Sequence, residues 1–452
     1  MDWLLELNSR VNNIVWGTPM LVVLVGSGVV LTVVTKGIQF RRFAYAVRQV
    51  LTGRRHPLAQ GTVSPFQALA TSLSATVGVG NIAGVSIAIA TGGPGAVFWM
   101  FMTGLVGMAT KYSEIAVALE YRQRDASGAL RGGAMYVLSR GFKMPWLGTI
   151  FALNCSLAAF GIGNMTQANT VANALQGEFQ IPVWSTGIAL AFITALVVIG
   201  GIRRIAEVTS LLAPIMCLMY MTCALVVVLN HLEDIPGVIA LVISSAFDGH
   251  AAVGGFLGAS AQMAIRTGIA RGLFSSEAGL GSAPIVHSAA VTDHPARQAT
   301  YGIFGVFLDT LVVCMLTASI VLVTGVWDSG NTGAQLTATA FQVGFSGYLG
   351  GPMVAIAVAM FGFSTIIGWA YYGETGIVYM FGLRPIPIYR IAWTAAVLVG
   401  AVGGLETVWK IADTLNALMA VPNLVAVLGS IHILRRQMHE FFDLHEVRKV
   451  TE

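Results

Sequence analysis

The sequence predicts an all-α polytopic membrane protein with eleven transmembrane helices, in which one extra N-terminal helix precedes two inverted repeats of five helices, each with one discontinuous helix. Three observations lead to this fold class. Of the 452 residues, 56% are hydrophobic and only 10% are charged, whereas a soluble domain carries about 25% charged residues. Apolar runs recur from residue 19 to residue 434, and the basic residues cluster in alternate connections between them.

A spanning helix needs about 20 mostly apolar residues. By this measure the predicted spans, numbered from the N-terminus, are 19–36, 64–91, 94–119, 147–172, 181–200, 206–229, 253–289, 297–325, 351–379, 387–404 and 411–434. Span seven is too long for one straight crossing. Two further segments, 40–51 and 231–247, are amphipathic and are expected to lie in the membrane interface.

These spans divide the chain into five parts. They are residues 1–63, the extra helix with a basic interfacial segment, 64–229, the first repeat, 230–252, an outer interfacial segment, 253–434, the second repeat, and 435–452, a cytoplasmic tail.

The basic residues predict the orientation. Twenty of the 25 lie in one set of alternate connections and the tail, whereas the other set holds only Arg10 and Lys410. The remaining three, Lys111, Arg266 and Arg271, fall within spans. Because Lys and Arg concentrate on the cytoplasmic side, the N-terminus is predicted outside and the C-terminus inside, which requires an odd number of crossings.

Several function classes find no support in the sequence. The net charge of +4 is small and dispersed, which argues against nucleic-acid binding. The four cysteines have no CxxC spacing, the eight histidines have no ligand spacing within the spans, and no GxxxxGK[ST] loop is present. These absences argue against a metalloenzyme and a primary pump, while a channel stays open at this point.

Span two is predicted to break near Gly78 to Asn81, where glycines and an amide lie about halfway across. Non-helical backbone survives at that depth only where it lines a cavity. The half-helix after a break directs free amides toward an anion, and carbonyls of the half-helix before it can coordinate a cation. Alternatively, Gly80 and Gly84 form a small-xxx-small contact for helix packing.

Span seven is also predicted to break, near Gly268 to Phe274. Charged residues at mid-depth are costly unless they are paired or hydrated, so Arg266, Arg271 and Glu277 indicate an aqueous passage or internal ion pairs. The alternative is that Arg271 and Glu277 lie near the cytoplasmic end and extend to the interface.

Spans four and nine offer further polar groups. Thr365 and Trp369 are four residues apart and share a helix face. Hydroxyls in membrane helices often bond only to the preceding turn, and Trp369 is equally compatible with packing. Gln167 in span four can hydrogen-bond a ligand or a neighbouring helix.

A series of ordered motifs carries a family resemblance over nearly the whole chain. They are Ser64-Pro-Phe-Gln67, Gly78-Val-Gly80-Asn81-Ile-Ala-Gly84, Gly92-Gly-Pro-Gly95 with Trp99, Gly107-Met-Ala-Thr-Lys111-Tyr, Gly163-Asn164-Met, Arg271-Gly272-Leu-Phe274-Ser275, Glu277-Ala-Gly-Leu-Gly-Ser282-Ala-Pro284 and Gly368-Trp369-Ala-Tyr-Tyr-Gly373-Glu374. With these motifs the chain resembles the alanine or glycine:cation symporters, also called sodium:alanine symporters.

The resemblance implies a fold of the leucine-transporter class and a set of binding residues. The substrate carboxylate would meet the backbone at Gly78, Val79, Gly80 and Asn81, Gln167 and Thr365 would line the polar side, and Phe274 and Trp369 would bound the side-chain pocket. Sodium would bind the carbonyls of Ser74 and Val77 and the hydroxyls of Ser364 and Thr365. A second, weaker sodium site would lie near Thr76 and Asn81.

The expected function is secondary active import of a small neutral amino acid, alanine and/or glycine, with sodium as the co-transported ion. The protein is expected to act as a monomer in the inner membrane, with the lipid bilayer, the amino acid and sodium as its partners. The rival interpretation is a proton-coupled permease of the same fold, in which Glu277 or a basic residue replaces sodium.

Overall fold

A computed structural model of the chain describes residues 2–53, 59–247, 261–345, 347, 349–404 and 406–443. From the N-terminus the helices are α1 (Asp2–Val15), α2 (Thr18–Val34), α3 (Ile38–Arg41), α4 (Phe43–Thr52), α5 (Pro65–Thr76), α6 (Val85–Gly92), α7 (Gly95–Glu120), α8 (Ala134–Tyr136), α9 (Pro145–Ala158), α10 (Thr166–Phe179), α11 (Val183–Val198), α12 (Gly201–Asn230) and α13 (Ile235–Phe247). Wider π-helical turns cover Gly80–Gly84, Val137–Gly141 and Ala159–Met165, and a 3-10 turn covers Leu232–Asp234. An antiparallel hairpin pairs β1 (Gln123–Arg124) with β2 (Leu130–Arg131).

The second half of the chain is also helical. It contains α14 (Ala261–Ser276), α15 (Ala283–His287), α16 (Pro295–Val306), α17 (Met315–Val323), α18 (Gly333–Gly344), α19 (Gly350–Phe381), α20 (Ile386–Val402), α21 (Glu406–Leu418), α22 (Ala420–Gly429) and α23 (Ile431–Met438), with π turns at Phe307–Cys314 and His439–Asp443 and a 3-10 turn at Val326–Asp328. Part of predicted span seven, residues 253–260, and the tail beyond residue 443 lie outside the described residues.

Six helices in the described chain are long and apolar enough to cross a membrane, and the bent pair α5 and α6 makes a seventh if it counts as one span. The six are Glu6–Val34, Pro145–Phe179, Gly201–Asn230, Pro295–Val323, Gly350–Phe381 and Thr407–Gly429. Helices α11 and α20 are apolar but shorter, and α7 carries Lys111 and Glu114. The count of eleven spans therefore stays a prediction. The predicted amphipathic segments 40–51 and 231–247 are largely helical, as α4 and α13.

The first predicted break is confirmed. Helix α5 begins with a capping box, in which the Gln67 N–H donates to Ser64 Oγ at 3.1 Å and the Ser64 N–H donates to Gln67 Oε1 at 2.9 Å. It ends at Thr76, and the following helical segment Gly80–Gly92 is bent by 52° from it. A Cβ on Gly80 would meet only Phe274 at 3.6 Å, and one on Gly84 would meet nothing within 4 Å, so this pair does not serve close helix packing.

The second break exists, but the predicted position near Gly268 to Phe274 is wrong. Helix α14 continues through that stretch, and the chain leaves the helix at Glu277. Glu277, Gly279 and Gly281 have φ values of 52°, 96° and 79°, a left-handed region that glycine enters without steric cost. The close helix-packing role considered for Gly80 and Gly84 belongs instead to Gly268 and Gly272, which are four residues apart in α14. A Cβ on Gly268 would lie 2.3 Å from the Ala96 carbonyl oxygen of α7.

Helix α18 was not anticipated from the sequence, and it supports the first break. Thr337 Oγ1 lies 2.6 Å from Ser86 Oγ and donates to the Ile82 carbonyl at 3.0 Å. Ile82 belongs to the π turn Gly80–Gly84, and π turns often accompany functional sites in helices. A threonine from a distant segment thus provides a partner for the irregular backbone.

Candidate functional site

A small cavity lies between the two breaks, and six of the eight predicted substrate-binding residues line it. Its lining includes Gly78, Gly80, Gln167, Phe274, Thr365 and Trp369, together with Ile162, Ser275, Glu277 and Asn416. We call it the central cavity. Its volume is about 20 Å³, close to the smallest volume that holds one water molecule. A larger guest therefore enters only when the surrounding side chains move.

The other two predicted carboxylate residues lie outside the central cavity. Val79 lines an adjoining cavity. The Asn81 side chain is buried and directed elsewhere: its Oδ1 accepts from the Gly78 N–H at 3.0 Å, and its Nδ2 donates to Asp309 Oδ1 at 2.7 Å. Asn81 thus stabilises the break through hydrogen bonds and does not line the central cavity.

At the break the Gly78 N–H donates to the Thr76 carbonyl at 2.9 Å and to Asn81, which leaves the N–H groups of Val79 and Gly80 as the donors there. The first N–H groups of a helix find no carbonyl within that helix, and they carry the positive end of its dipole. At Gly78 the chain passes so close to α19 that a Cβ would lie 2.6 Å from Thr365 Oγ1. Only glycine fits there without displacing Thr365. The N–H groups at the start of a helix, at the positive end of its dipole, suit a carboxylate.

Two buried amide oxygens face the same space without partners. Gln167 Oε1 and Asn416 Oδ1 have no hydrogen-bond partner in the part of the chain that the structure describes, and both residues line the central cavity. Gln167 Nε2 donates to the Ile162 carbonyl at 3.1 Å, which leaves Oε1 as the free acceptor. Buried polar atoms are nearly always paired, so these two oxygens suit a donor such as an ammonium group.

Aromatic side chains close two walls of the central cavity. Trp369 is buried and packs against Gly163, where a Cβ would lie 2.4 Å from the Trp369 ring. Trp369 therefore has a packing role and also lines the cavity. Phe274 lies opposite, 3.6 Å from the Cβ position of Gly80, and these rings leave little room for a side chain.

A cluster of oxygen atoms adjoins the cavity at the predicted sodium site. Ser364 Oγ and Thr365 Oγ1 donate to the Ser74 carbonyl at 3.2 and 3.1 Å. The buried Ser74 hydroxyl has no partner among the described residues. Val77 is fully buried at the end of α5, where its N–H donates to the Leu73 carbonyl. Hydroxyl and carbonyl oxygens are the donors that hard cations prefer.

At the predicted second site, Thr76 and Asn81 form hydrogen bonds with different partners. Thr76 Oγ1 donates to the Ser72 carbonyl at 3.1 Å, and Asn81 turns toward Asp309 instead. Asp309 is buried and also accepts from Ser275 at 3.0 Å and Thr310 at 2.8 Å. Asp309 was not predicted from the sequence, although a single carboxylate within an apolar run is a signal of function.

Charged residues beside the second break were also missed as a group. Glu114 of α7 accepts from the N–H groups of Gly279 at 2.9 Å and Gly281 at 3.2 Å and from Asn423 Nδ2 at 2.6 Å. Lys111, one turn earlier, is buried, and its Nζ has no partner in the described chain. At the second break a carboxylate thus accepts from two backbone amides, whereas at the first break the Asn81 amide oxygen accepts from one, that of Gly78.

On the side where α1 lies, two more cavities lead away from the central one. The nearer one shares Gly80, Gln167 and Phe274 with it. The farther one has a volume of about 300 Å³, and its lining includes Arg266, Arg271, Phe274, Trp409, Asp413, Asn12 of α1 and Trp16 just after α1. Arg266 and Arg271 therefore line a cavity on the α1 side.

On the opposite side, where the β hairpin lies, the protein is closed by ion pairs. Arg131 contacts Asp125 at 2.7 Å and Glu374 at 3.4 Å, and Glu374 also contacts Arg390 at 2.8 Å. Burial opposes ionisation of Asp125, but hydrogen bonds from Arg131 and Ser127 hold its pKa below the usual value. This network joins the hairpin to α19 and α20.

Arg122 adds a second connection on the hairpin side. Its Nη1 donates to the carbonyls of Ser288 at 3.3 Å and Ala290 at 2.8 Å. The chain near Val63 pairs with Ala290 as well. The segment after the second break is therefore held against the hairpin and the start of α5.

Comparisons with known proteins agree with this architecture. The model of the family described as the sodium:alanine symporter family matches residues 1–451. The "Sodium/alanine symporter AgcS" of Methanococcus maripaludis is 43% identical over 436 residues, which cover 95% of each chain. The "Probable sodium/glutamine symporter GlnT" of Bacillus subtilis is 35% identical, over 92% of this chain and 86% of the relative.

Solved structures show the same fold at low identity. The manganese transporter of Eremococcus coleocola, in complex with an aromatic bis-isothiourea substituted compound, has a TM-score of 0.53 at 13% identity, over 82% of this chain and 80% of the other. That likeness concerns the fold alone. From the family match and the 43% identical relative together, the chain is a multi-pass membrane transporter rather than an enzyme, and it belongs to the sodium:alanine symporter family.

Proposed function

We propose that this protein is a secondary active symporter that imports a small neutral amino acid, alanine and/or glycine, together with sodium by alternating access. The observation that carries this proposal is the central cavity, which has the backbone N–H groups of Val79 and Gly80 beside it and the unpartnered oxygens of Gln167 and Asn416 in its lining. An amino-acid zwitterion presents one anion and one cation. In this proposal the donors bind its carboxylate and the two oxygens accept from its ammonium group.

The size of the side chain follows from the walls. Trp369 is held against Gly163, and Phe274 lies over Gly80, so the pocket favours hydrogen or methyl over a longer side chain. One relative is named a sodium/alanine symporter and another a probable sodium/glutamine symporter. We therefore propose that the aromatic walls, Phe274 and Trp369, determine which of these amino acids fits the pocket.

Sodium is proposed to bind at Ser74, Val77, Ser364 and Thr365. Thr365 supports coupling because its hydroxyl donates to the Ser74 carbonyl and also lies at the Gly78 backbone. A residue shared by both ligands lets each one raise the affinity for the other, and such coupling is reciprocal. A second cation site is assigned to Asp309 with Asn81 and Ser275.

The rival function is proton-coupled transport by the same fold. Glu277 favours it, because this carboxyl group lines the central cavity and accepts a hydrogen bond from Ser282. Uptake driven by a pH gradient in sodium-free buffer is the result that would establish the rival.

The arrangement in the membrane is part of the proposal. We propose eleven spans with two inverted repeats, 64–229 and 253–434, the N-terminus outside, the C-terminus inside, and a monomer in the inner membrane. The α1 side is then the outer side, and the cavities described above form an outward passage. The basic connections on the hairpin side support this orientation.

Uptake of radiolabelled L-alanine into proteoliposomes tests the function. An inward sodium gradient is compared with an equal choline gradient. Accumulation with sodium alone supports symport, whereas equal accumulation in both buffers contradicts sodium coupling. Competition by unlabelled glycine, D-alanine and glutamine then defines the substrate.

A further inference from the structure

A large cavity lies far from the central one, between the end of α2 and the C-terminal helix. Its volume is about 390 Å³, within the range of ligand sites in proteins. Five basic side chains line it, and one acidic side chain does: Lys36, Arg41, Arg42, Arg435, His439 and Asp443. We call it the α2–α23 cavity.

The positive charge of this cavity is not neutralised by its own carboxylate. Asp443 is engaged by His439, whose Nδ1 lies 3.0 Å from it. For Lys36, Arg41 and Arg435 the structure shows no ion pair with any described residue. Three cations from two chain segments, at positions 36 to 41 and 435, therefore converge on one space. Such an arrangement suits an anion with several oxygen atoms, because guanidinium groups bind phosphate well.

The position of the cavity identifies the source of that anion. Helix α2 completes the apolar span Glu6–Val34, so Lys36 lies just past the end of a membrane helix. Val33 and Val34 form the apolar flank of the cavity, and Val33 is 71% exposed on the helix surface. The cavity thus combines a cationic end with an apolar edge that faces the acyl chains. A free anion would use only the first of these features.

We propose that the α2–α23 cavity binds the phosphodiester headgroup of an anionic phospholipid, with an acyl chain along Val33 and Val34. Basic pockets at the ends of membrane helices are a recurring form of lipid recognition. The bound headgroup bridges the extra N-terminal helix and the C-terminal helix. This inference does not depend on which amino acid or ion the protein transports.

The test compares lipids that differ only in headgroup charge. Detergent-purified full-length protein is titrated with phosphatidylglycerol or phosphatidylcholine of the same chains, and lipid retention is measured by native mass spectrometry. We expect selective retention of phosphatidylglycerol, and about fivefold weaker retention for each charge removed in Arg41→Gln and Arg435→Gln. The matched controls Arg203→Gln and Arg204→Gln remove equally exposed arginines outside the cavity, and they should retain the lipid.

Other outcomes decide against the proposal. Equal retention of both lipids, or equal loss in the cavity and control variants, would show nonspecific attraction. Inorganic phosphate serves as the free-anion probe, and if it displaces phosphatidylglycerol or alone raises the thermal unfolding midpoint, the lipid assignment is overturned. Arg435→Gln changes an exposed side chain, so it provides a folded variant if Arg41→Gln does not fold.

Discussion

The two sides of the central cavity are built differently. On the α1 side a chain of cavities reaches it, and one aromatic side chain, Phe274, lines all three of them. On the hairpin side the cavity beyond Thr76 has a volume of only about 10 Å³. There the buried Arg131 and Glu374 join the hairpin to α19.

This difference indicates which interactions must change during transport. A barrier formed by one ring opens by a side-chain rotation, whereas a barrier formed by buried ion pairs opens only when helices move apart. Packed interfaces of this kind have two discrete arrangements rather than a continuous range. The hairpin side is therefore harder to open than the α1 side.

The largest expected effect follows from breaking the hairpin-side network. Arg131→Gln leaves Asp125 and Glu374 without their buried partner, which costs about 3–5 kcal/mol where a buried pair loses one member. We expect alanine uptake to fall by roughly tenfold or more. We also expect faster alkylation of a single cysteine introduced at Ser72, which lines the hairpin-side cavity.

Arg124→Gln is the matched control, because Arg124 lies on the same hairpin but is exposed. It should leave uptake and alkylation close to those of the parent. If Arg131→Gln behaves in the same way as this control, the hairpin side is not held by its ion pairs.

An intermediate effect is expected on the α1 side. Phe274→Ala joins the central cavity to the cavities on the α1 side and removes one wall of the side-chain pocket. We expect the KM for alanine to rise by about tenfold, with glutamine becoming a better competitor. The measurement is inhibition of alanine uptake by glutamine. Phe101→Ala, at an exposed phenylalanine of α7, is the control, and an unchanged KM in Phe274→Ala would argue against the barrier.

The smallest effect belongs to Asp125, which supports Arg131 from the hairpin. Asp125→Asn should lower stability by about 1 kcal/mol, measured as the thermal unfolding midpoint. Its pKa is depressed on folding, so its contribution is present above the unfolded pKa and is lost as the pH falls through the folded value. The difference between parent and variant should therefore stay constant from about pH 5 to pH 8. A difference that disappears within this range would contradict the assignment.

The sequence predicted the position of the first break correctly and that of the second wrongly, for a physical reason. At Gly78 to Asn81, glycines and an amide occur together. Gly78 is needed because the backbone passes close to Thr365, and the Asn81 side chain accepts a hydrogen bond from the Gly78 N–H. In α14, Gly268 and Gly272 form a similar glycine pattern, but these glycines let the helix pack closely against α7. The actual break uses the positive φ of Gly279 and Gly281. Composition does not distinguish a glycine that bends the chain from one that packs.

Binding residues on distant helices were harder to predict. Gln167, Thr365 and Trp369 follow from the family resemblance, and they line the central cavity. Asn416 was missed because a single amide in an amphipathic span carries no sign of the cavity it faces. Asp309 was missed because its donors, Asn81 and Ser275, come from other spans. Such clusters become visible only when the tertiary contacts are known.

The central claim is that one cavity couples the amino acid to sodium through Thr365. The most direct measurement is the equilibrium affinity of the purified protein for radiolabelled alanine at low and at high sodium, in the parent, Thr365→Ser and Thr365→Ala. We predict that sodium raises the affinity in the parent and in the serine variant, which keeps the hydroxyl group. In the alanine variant the sodium effect should be lost. An undiminished sodium effect in Thr365→Ala would contradict the account.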